Sequence, residues 1–152
     1  MLVGKQNGHR FKFEVVCRHF VGEGRKVTDR EGQTYVDGKL AYGTDGGMPP
    51  TEIIWFSVII DGRKFEVPRG LWADLFFLSM EQGAFRKPDG SFRIYHWGWH
   101  LDKQGTLTLG TLSGDAAGTY SVRWWFRHGE SARRIARWGE WTLPPHPWRE
   151  VS

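Results

Sequence analysis

Two histidines bracket His96-Trp97-Gly98-Trp99-His100, and a pair spaced in this way raises the question of a metal ion. In a strand, His96, Gly98 and His100 share one face, while Tyr95, Trp97, Trp99 and Leu101 take the other. The imidazoles then stand about 13 Å apart, at ~3.3 Å per residue. One ion cannot bridge that gap with ligand bonds of about 2 Å. A helix would bring the two rings together, but Gly98 opposes a helix and the glutamate of a His-Glu-x-x-His pattern is missing. The segment therefore reads as a strand with its aromatic face packed inward. A glycine flanked by tryptophans could still leave an open floor for a ligand ring. His96, Trp97, Trp99 and His100 are ligand-binding candidates on that ground, and no residue is assigned as a metal ligand.

Cys17 and His19 share a strand face, as a nucleophile and its base or two metal ligands would. Their backbones sit about 6.6 Å apart, and Phe11, Phe13 and Val15 share the face. Core packing is the better reading, since free cysteine usually behaves as a small buried hydrophobe. Glu130, Glu140, Asp102 and Asp115 fall at turns or strand ends, and nothing in their spacing brings two together as a glycosidase needs. Gly43 to Gly47 lacks the Lys-Ser/Thr of a phosphate cradle, and there is no Gly-x-Ser-x-Gly elbow. No catalytic residue and no cofactor is assigned.

The richest region is Tyr120 to Trp141. Tyr120, Val122, Trp124 and Phe126 make one apolar strand face, and the opposite face runs Ser121, Arg123, Trp125, Arg127. The returning strand adds Arg133, Arg134, Arg137 and Trp138, so one hairpin collects five arginines, His128 and an outward Trp125. Arginine stems covering an indole as a cation-π stack need no ligand. The same set would also suit a sugar stacked on tryptophan, a single nucleic-acid strand, or a protein partner. Trp125, Arg123, Arg127, Arg137 and Trp138 are the ligand-binding candidates here.

These residues need strands to hold them, and the chain supplies the pattern. His9 to Val21 alternates, and Asp37-Gly38 and Asp61-Gly62 each provide a two-residue hairpin turn. Glu52 to Ile60 is apolar on both faces, as a strand covered on both sides would be. Gly22 to Gly32 reads as a loop or hairpin end, and Gly43 to Pro50 as a long loop. Leu71, Trp72, Leu75 and Phe76 stand at helical spacing, which predicts one short helix over Leu71 to Met80; a buried strand at Leu75 to Leu78 is its rival. Trp124, Phe126, Val122, Trp55, Ile59, Phe13 and Val15 are expected in the core. About eight or nine strands, with turn signals every ten or so residues, point to an antiparallel β-sandwich of jelly-roll or immunoglobulin-like type.

Asp115-Ala116-Ala117-Gly118-Thr119-Tyr120-Ser121-Val122 resembles the Gly-x-Tyr-x-Val corner of immunoglobulin-like and fibronectin-like sandwiches. There a tyrosine near the start of a strand hydrogen-bonds back to the preceding loop. The resemblance implies sandwich architecture and carries no functional residue with it.

Composition agrees. Glycine is high, 20 of 152 residues, and nine tryptophans fall within a 15% aromatic content. The length predicts one domain over 1–152, with an irregular proline-rich tail over 144–152. A single cysteine excludes an intrachain disulfide framework. No apolar run reaches the ~18 residues of a membrane span, and Met1 to Gly8 has no signal-peptide core. Secreted and cytoplasmic locations both remain open. With a net charge of only +4, nucleic acid is the less favoured partner. The expectation is a non-catalytic ligand-binding module that uses exposed tryptophans, first for carbohydrate. A protein-interaction or inhibitor-type domain built on the Arg/Trp hairpin is second. An enzyme with its site near 43–50 and 95–100 is third. Exposure separates them: coplanar exposed indoles favour sugar, a flat mixed patch favours protein, and a deep polar pocket favours an enzyme.

Overall fold

The chain is described by a computed structural model, over residues 1–44, 46–76, 97–114 and 118–139, with the backbone of 149–150. The fold is all-β. Strands β1 (Leu2–Gln6), β2 (His9–His19), β6 (Thr51–Ile60) and β7 (Arg63–Lys64) form one antiparallel sheet in the order β1-β2-β6-β7. A second sheet runs β11-β10-β9-β8-β12, from β8 (Trp97–Leu101), β9 (Leu107–Ser113), β10 (Tyr120–Phe126), β11 (Arg133–Trp138) and β12 (Arg149–Glu150). Between β2 and β6 the chain detours through a small meander, β3 (Val27–Arg30), β4 (Gln33–Val36) and β5 (Lys39–Leu40).

Tight turns set the registers. Asp37-Gly38 and Asp61-Gly62 both have positive φ at each residue, as a two-residue hairpin turn demands. Asn7-Gly8 and Glu31-Gly32 do the same and close β1–β2 and β3–β4. The β1–β2 hairpin is an addition to the expected elements, and the turn at Glu31-Gly32 meets the hairpin-end alternative for Gly22 to Gly32.

The core lies between the two large sheets. Phe11, Phe13, Phe56, Val58 and Ile60 from the first meet Trp97, Leu101, Leu109, Val122, Trp124 and Phe126 from the second. The rings of Trp97 and Trp124 stack with centroids 6.1 Å apart, and the Trp124 indole N–H donates to the Leu71 carbonyl at 2.8 Å. A buried indole needs such a partner. Side chains also stitch the sheets at the β1/β8 edge: Asn7 donates to the Leu101 carbonyl at 2.9 Å, and the Leu101 amide donates to Gln6 Oε1 at 3.1 Å.

Three expectations about packing are corrected. Trp55 is 48% exposed, and Ile59 and Val15 are only partly buried. With Phe56, Val58 and Ile60 facing the core, period two sends Trp55, Ser57 and Ile59 outward. A bulge completes the change. Val16 pairs with Trp55 and Cys17 with Ile53, which leaves Ile54 as an extra residue and lets Ile53 and Phe56 both point inward. So β6 is covered on one face, not two. In its described part, the helix expected over Leu71 to Met80 reduces to a 3-10 turn at Arg69–Leu71. Leu75 and Phe76 then make isolated bridges to Tyr42 and Glu52, as the rival strand reading anticipated. The rest of that segment lies outside the described residues, as does most of the 144–152 tail. The Tyr120 hydroxyl donates across the molecule to the Phe76 carbonyl at 3.0 Å.

Candidate functional site

Sheet register places the sequence candidates. On the outward face of the second sheet, His100, Thr108, Trp125 and Arg133 form one cross-strand row. Gly98, Gly110, Arg123 and Ile135 form the next, followed by Leu112, Ser121 and Arg137. Trp125, Arg123, Arg137 and His100 are therefore brought to one surface. Trp125 is half-buried, with the guanidinium carbons of Arg123 and Arg133 each 5.9 Å from its ring centroid. The sequence order suggested Arg127 as the second neighbour; the directly paired Arg133 takes that place instead. Arg127 lies 3.7 Å from Glu130 across the turn. Burial, and then the charge of Arg137, push the Arg123 pKa down from its ordinary value. A guanidinium keeps its charge regardless.

The other candidates lie elsewhere. Trp97 and Trp99 are buried in the core and present no ring face to a ligand. The open floor expected at Gly98 is absent, because Gly98 and the opposing Gly110 are both buried. Trp138 faces inward and packs on Tyr42, ring centroids 5.0 Å apart. Arg134 shares that side. It grips Asp74 through both terminal guanidinium nitrogens, the Nη2 contact at 3.0 Å. His96 lies outside the described residues.

Among the described residues, catalytic groups do not assemble around these side chains. Burial pushes the Cys17 thiol up to about 12, far from a thiolate at neutral pH. His9 donates from Nδ1 to Asp61 at 2.6 Å and from Nε2 to the Lys103 carbonyl at 3.0 Å. Both neighbours are acceptors, so the ring satisfies them together only as the imidazolium and has no lone pair left for a base. Those same two hydrogen bonds, Asp61 first, raise the His9 pKa, and the Asp61 carboxyl is lowered in turn. Among the described residues no group of three or more His, Cys, Asp or Glu side chains could hold a metal ion. A cavity of about 270 Å³ lies beside Arg25, Asp37, Lys39, Arg69 and Asp74. Its acids are occupied: Asp37 by Arg25 at 2.8 Å and Asp74 by Arg134. No helix among the described residues is long and apolar enough to cross a membrane.

A second surface escaped the sequence reading. On the outward face of the first sheet, Val3, Lys12, Ile59 and Lys64 form a cross-strand row, and Val16 stands opposite Trp55. Lys64 holds its ammonium 5.1 Å from the Trp55 ring centroid. A shallow groove of about 380 Å³ runs past Val3, Lys5, Arg10, Lys12 and Ile59. The available signal was Lys12 and Glu14 alternating with Phe11, Phe13 and Val15, which fixes the outward side of β2. Pairing alone transfers that side to β6.

Against this geometry, comparison with protein-family models finds no match, and comparisons with curated proteins and with solved structures find none either.

Proposed function

We propose that the chain is a non-catalytic binding module, and that the outward face of the β10–β11 hairpin engages an acidic segment of a partner protein. The observation that carries this reading is the arrangement around Trp125: an indole between Arg123 and Arg133, with Ile135 41% exposed and Arg137 on the same face. Such a patch mixes aromatic, aliphatic and cationic groups. Arginine and tryptophan are the side chains that most often dominate protein interfaces, and a guanidinium pairs with carboxylates in a planar fork. A sugar needs a free ring face, and here two guanidinium groups attend the one indole that this face offers among the described residues.

Carbohydrate and protein part company in one experiment. The purified protein is titrated against an acidic-peptide array and a glycan array, with Arg133→Glu and Trp125→Ala alongside. The proposal expects peptide binding that Arg133→Glu abolishes, and no glycan binding. Glycan binding lost in Trp125→Ala would return the site to carbohydrate. Silence on both arrays would count against the hairpin as a binding face.

A further inference from the structure

The outward face of β1, β2, β6 and β7 departs from the usual solvent side of a sandwich, where polar side chains alternate with inward apolar ones. Val3 is 63% exposed and Trp55 nearly half exposed, and Val16 and Ile59 stand on the same side. Four exposed cations surround them: Lys5, Arg10, Lys12 and Lys64. On the outward side of these strands Glu14 is partly buried, and Glu52, opposite Arg18, is buried and held by Arg18 and Arg25. Asp61, in the β6–β7 turn, is taken up by His9 and the Arg10 amide, and Glu66 follows the end of β7.

We propose that this face docks on an anionic lipid surface. Trp55, Val3, Val16 and Ile59 enter the interfacial layer, while Lys5, Arg10, Lys12 and Lys64 reach the headgroups. Three properties favour lipid over other anions. The cations are mainly lysines, compact charges on long apolar stems that suit a fluid array of headgroups. Lysine is depleted at protein interfaces, where a fixed partner rewards the arginine fork instead. Tryptophan is at home at the membrane–water boundary, and apolar insertion joined to basic charge supplies the two signals that stable peripheral binding needs. A nucleic-acid strand calls for successive aromatic platforms, and among the described residues this face carries one indole, with Lys64 already against it. The docking goes beyond the protein-partner reading and uses the opposite sheet.

Co-sedimentation with phosphatidylcholine vesicles, with and without phosphatidylserine, tests it. The purified protein should pellet with the phosphatidylserine vesicles alone and be released as salt rises. Lys12→Gln and Lys64→Gln should each weaken partitioning about fivefold, the worth of one lysine near an anionic leaflet. Trp55→Ala should weaken it further and remove a blue shift in tryptophan emission. Trp55 and both lysines are exposed, so all three variants should melt with the wild type, and Arg133→Glu should bind vesicles unchanged. Absence of phosphatidylserine-dependent pelleting overturns the proposal. So does pelleting that survives Trp55→Ala together with Lys12→Gln. Binding to polyglutamate or single-stranded DNA without vesicle binding, or a Trp55-dependent dimer in sedimentation equilibrium, reassigns the face to that occupant.

Discussion

Each large sheet carries one outward tryptophan attended by cations, yet the two settings differ in kind. Trp125 is half-buried between Arg123 and Arg133, the second directly opposite it on the neighbouring strand. Trp55 stands nearly half exposed, with the single ammonium of Lys64 against it and Val16 opposite. Planar guanidinium groups lie along an indole and restrict it, whereas a lysine is a flexible point charge that leaves most of the ring to solvent. The first setting is a rigid, pre-shaped patch; the second is a soft one. Rigid arginine patches suit a partner of fixed shape, and soft lysine patches suit a partner that rearranges.

Tryptophan truncation breaks or sharpens this comparison most strongly, with Trp124 as the reference. It neighbours Trp125 on β10 but faces the core and is fully buried. Trp124→Ala should cost about 3 to 5 kcal/mol. Trp125→Ala should cost about 1 kcal/mol, in keeping with its half-burial, and Trp55→Ala should stay within about 0.5 kcal/mol. Urea midpoints measure all three. Equal losses at Trp124 and Trp125 would undo the facing of β10.

Double-mutant cycles reach the next level. The coupling of Trp125 to Arg133 should be about 0.5 to 1 kcal/mol, and that of Trp55 to Lys64 smaller, because the exposed pair is better hydrated. A larger coupling at Trp55 would reverse the contrast between rigid and soft.

The smallest effect is a pH dependence at the corner of the lysine face. His9 ties Asp61 on the first sheet to the Lys103 carbonyl beside the second, with Arg10 and Lys5 on its own side and Asp102 across the gap. Its folded pKa is raised, so its contribution is complete below the ordinary histidine range and is lost as pH rises through the folded value. Asp61, with a lowered folded pKa, contributes above the ordinary carboxylate range and loses that contribution as pH falls through its own folded value. The clasp is therefore strongest in mild acid. The gap in urea midpoint between wild type and His9→Gln should shrink toward alkaline pH. A gap that widens there would mean a neutral ring and no clasp.

What the sequence disclosed follows from how local each feature is. Asp37-Gly38 and Asp61-Gly62 carry their turn geometry in two residues, and both hairpins are where they were expected. The facing of β10 was legible because Tyr120, Val122, Trp124 and Phe126 make an unbroken apolar face, while Ser121, Arg123 and Arg127 mark the other as polar around Trp125. Trp55 was misplaced because both sides of β6 are apolar, so composition could not choose between them, and the extra residue Ile54 leaves no mark in the pattern. Arg133 was missed as the partner of Trp125 for a different reason. Strand register is a relation between two segments, and the turn between Arg127 and Arg133 carries no two-residue signature to set it. Trp97 and Trp99 were correctly faced inward from the strand pattern, and once buried in the core they cannot also be platforms.

The bulge in β6 has a consequence for how the chain tolerates change in length. Ile54 is the one residue of that strand with no counterpart on β2, between the Cys17–Ile53 and Val16–Trp55 pairs. Deleting it would join Ile53 to Trp55 in an unbroken ladder, with Ile53 and Phe56 still inward and Trp55 still outward. A deletion at Ser57 or Val58 would instead turn every residue on one side of the cut to the wrong face. Within this strand, then, a lost codon is neutral to facing at one position and ruinous a few residues away. What the intact bulge contributes is local twist, two residues after Glu52, which accepts from Arg25 at 2.9 Å at the foot of the small meander.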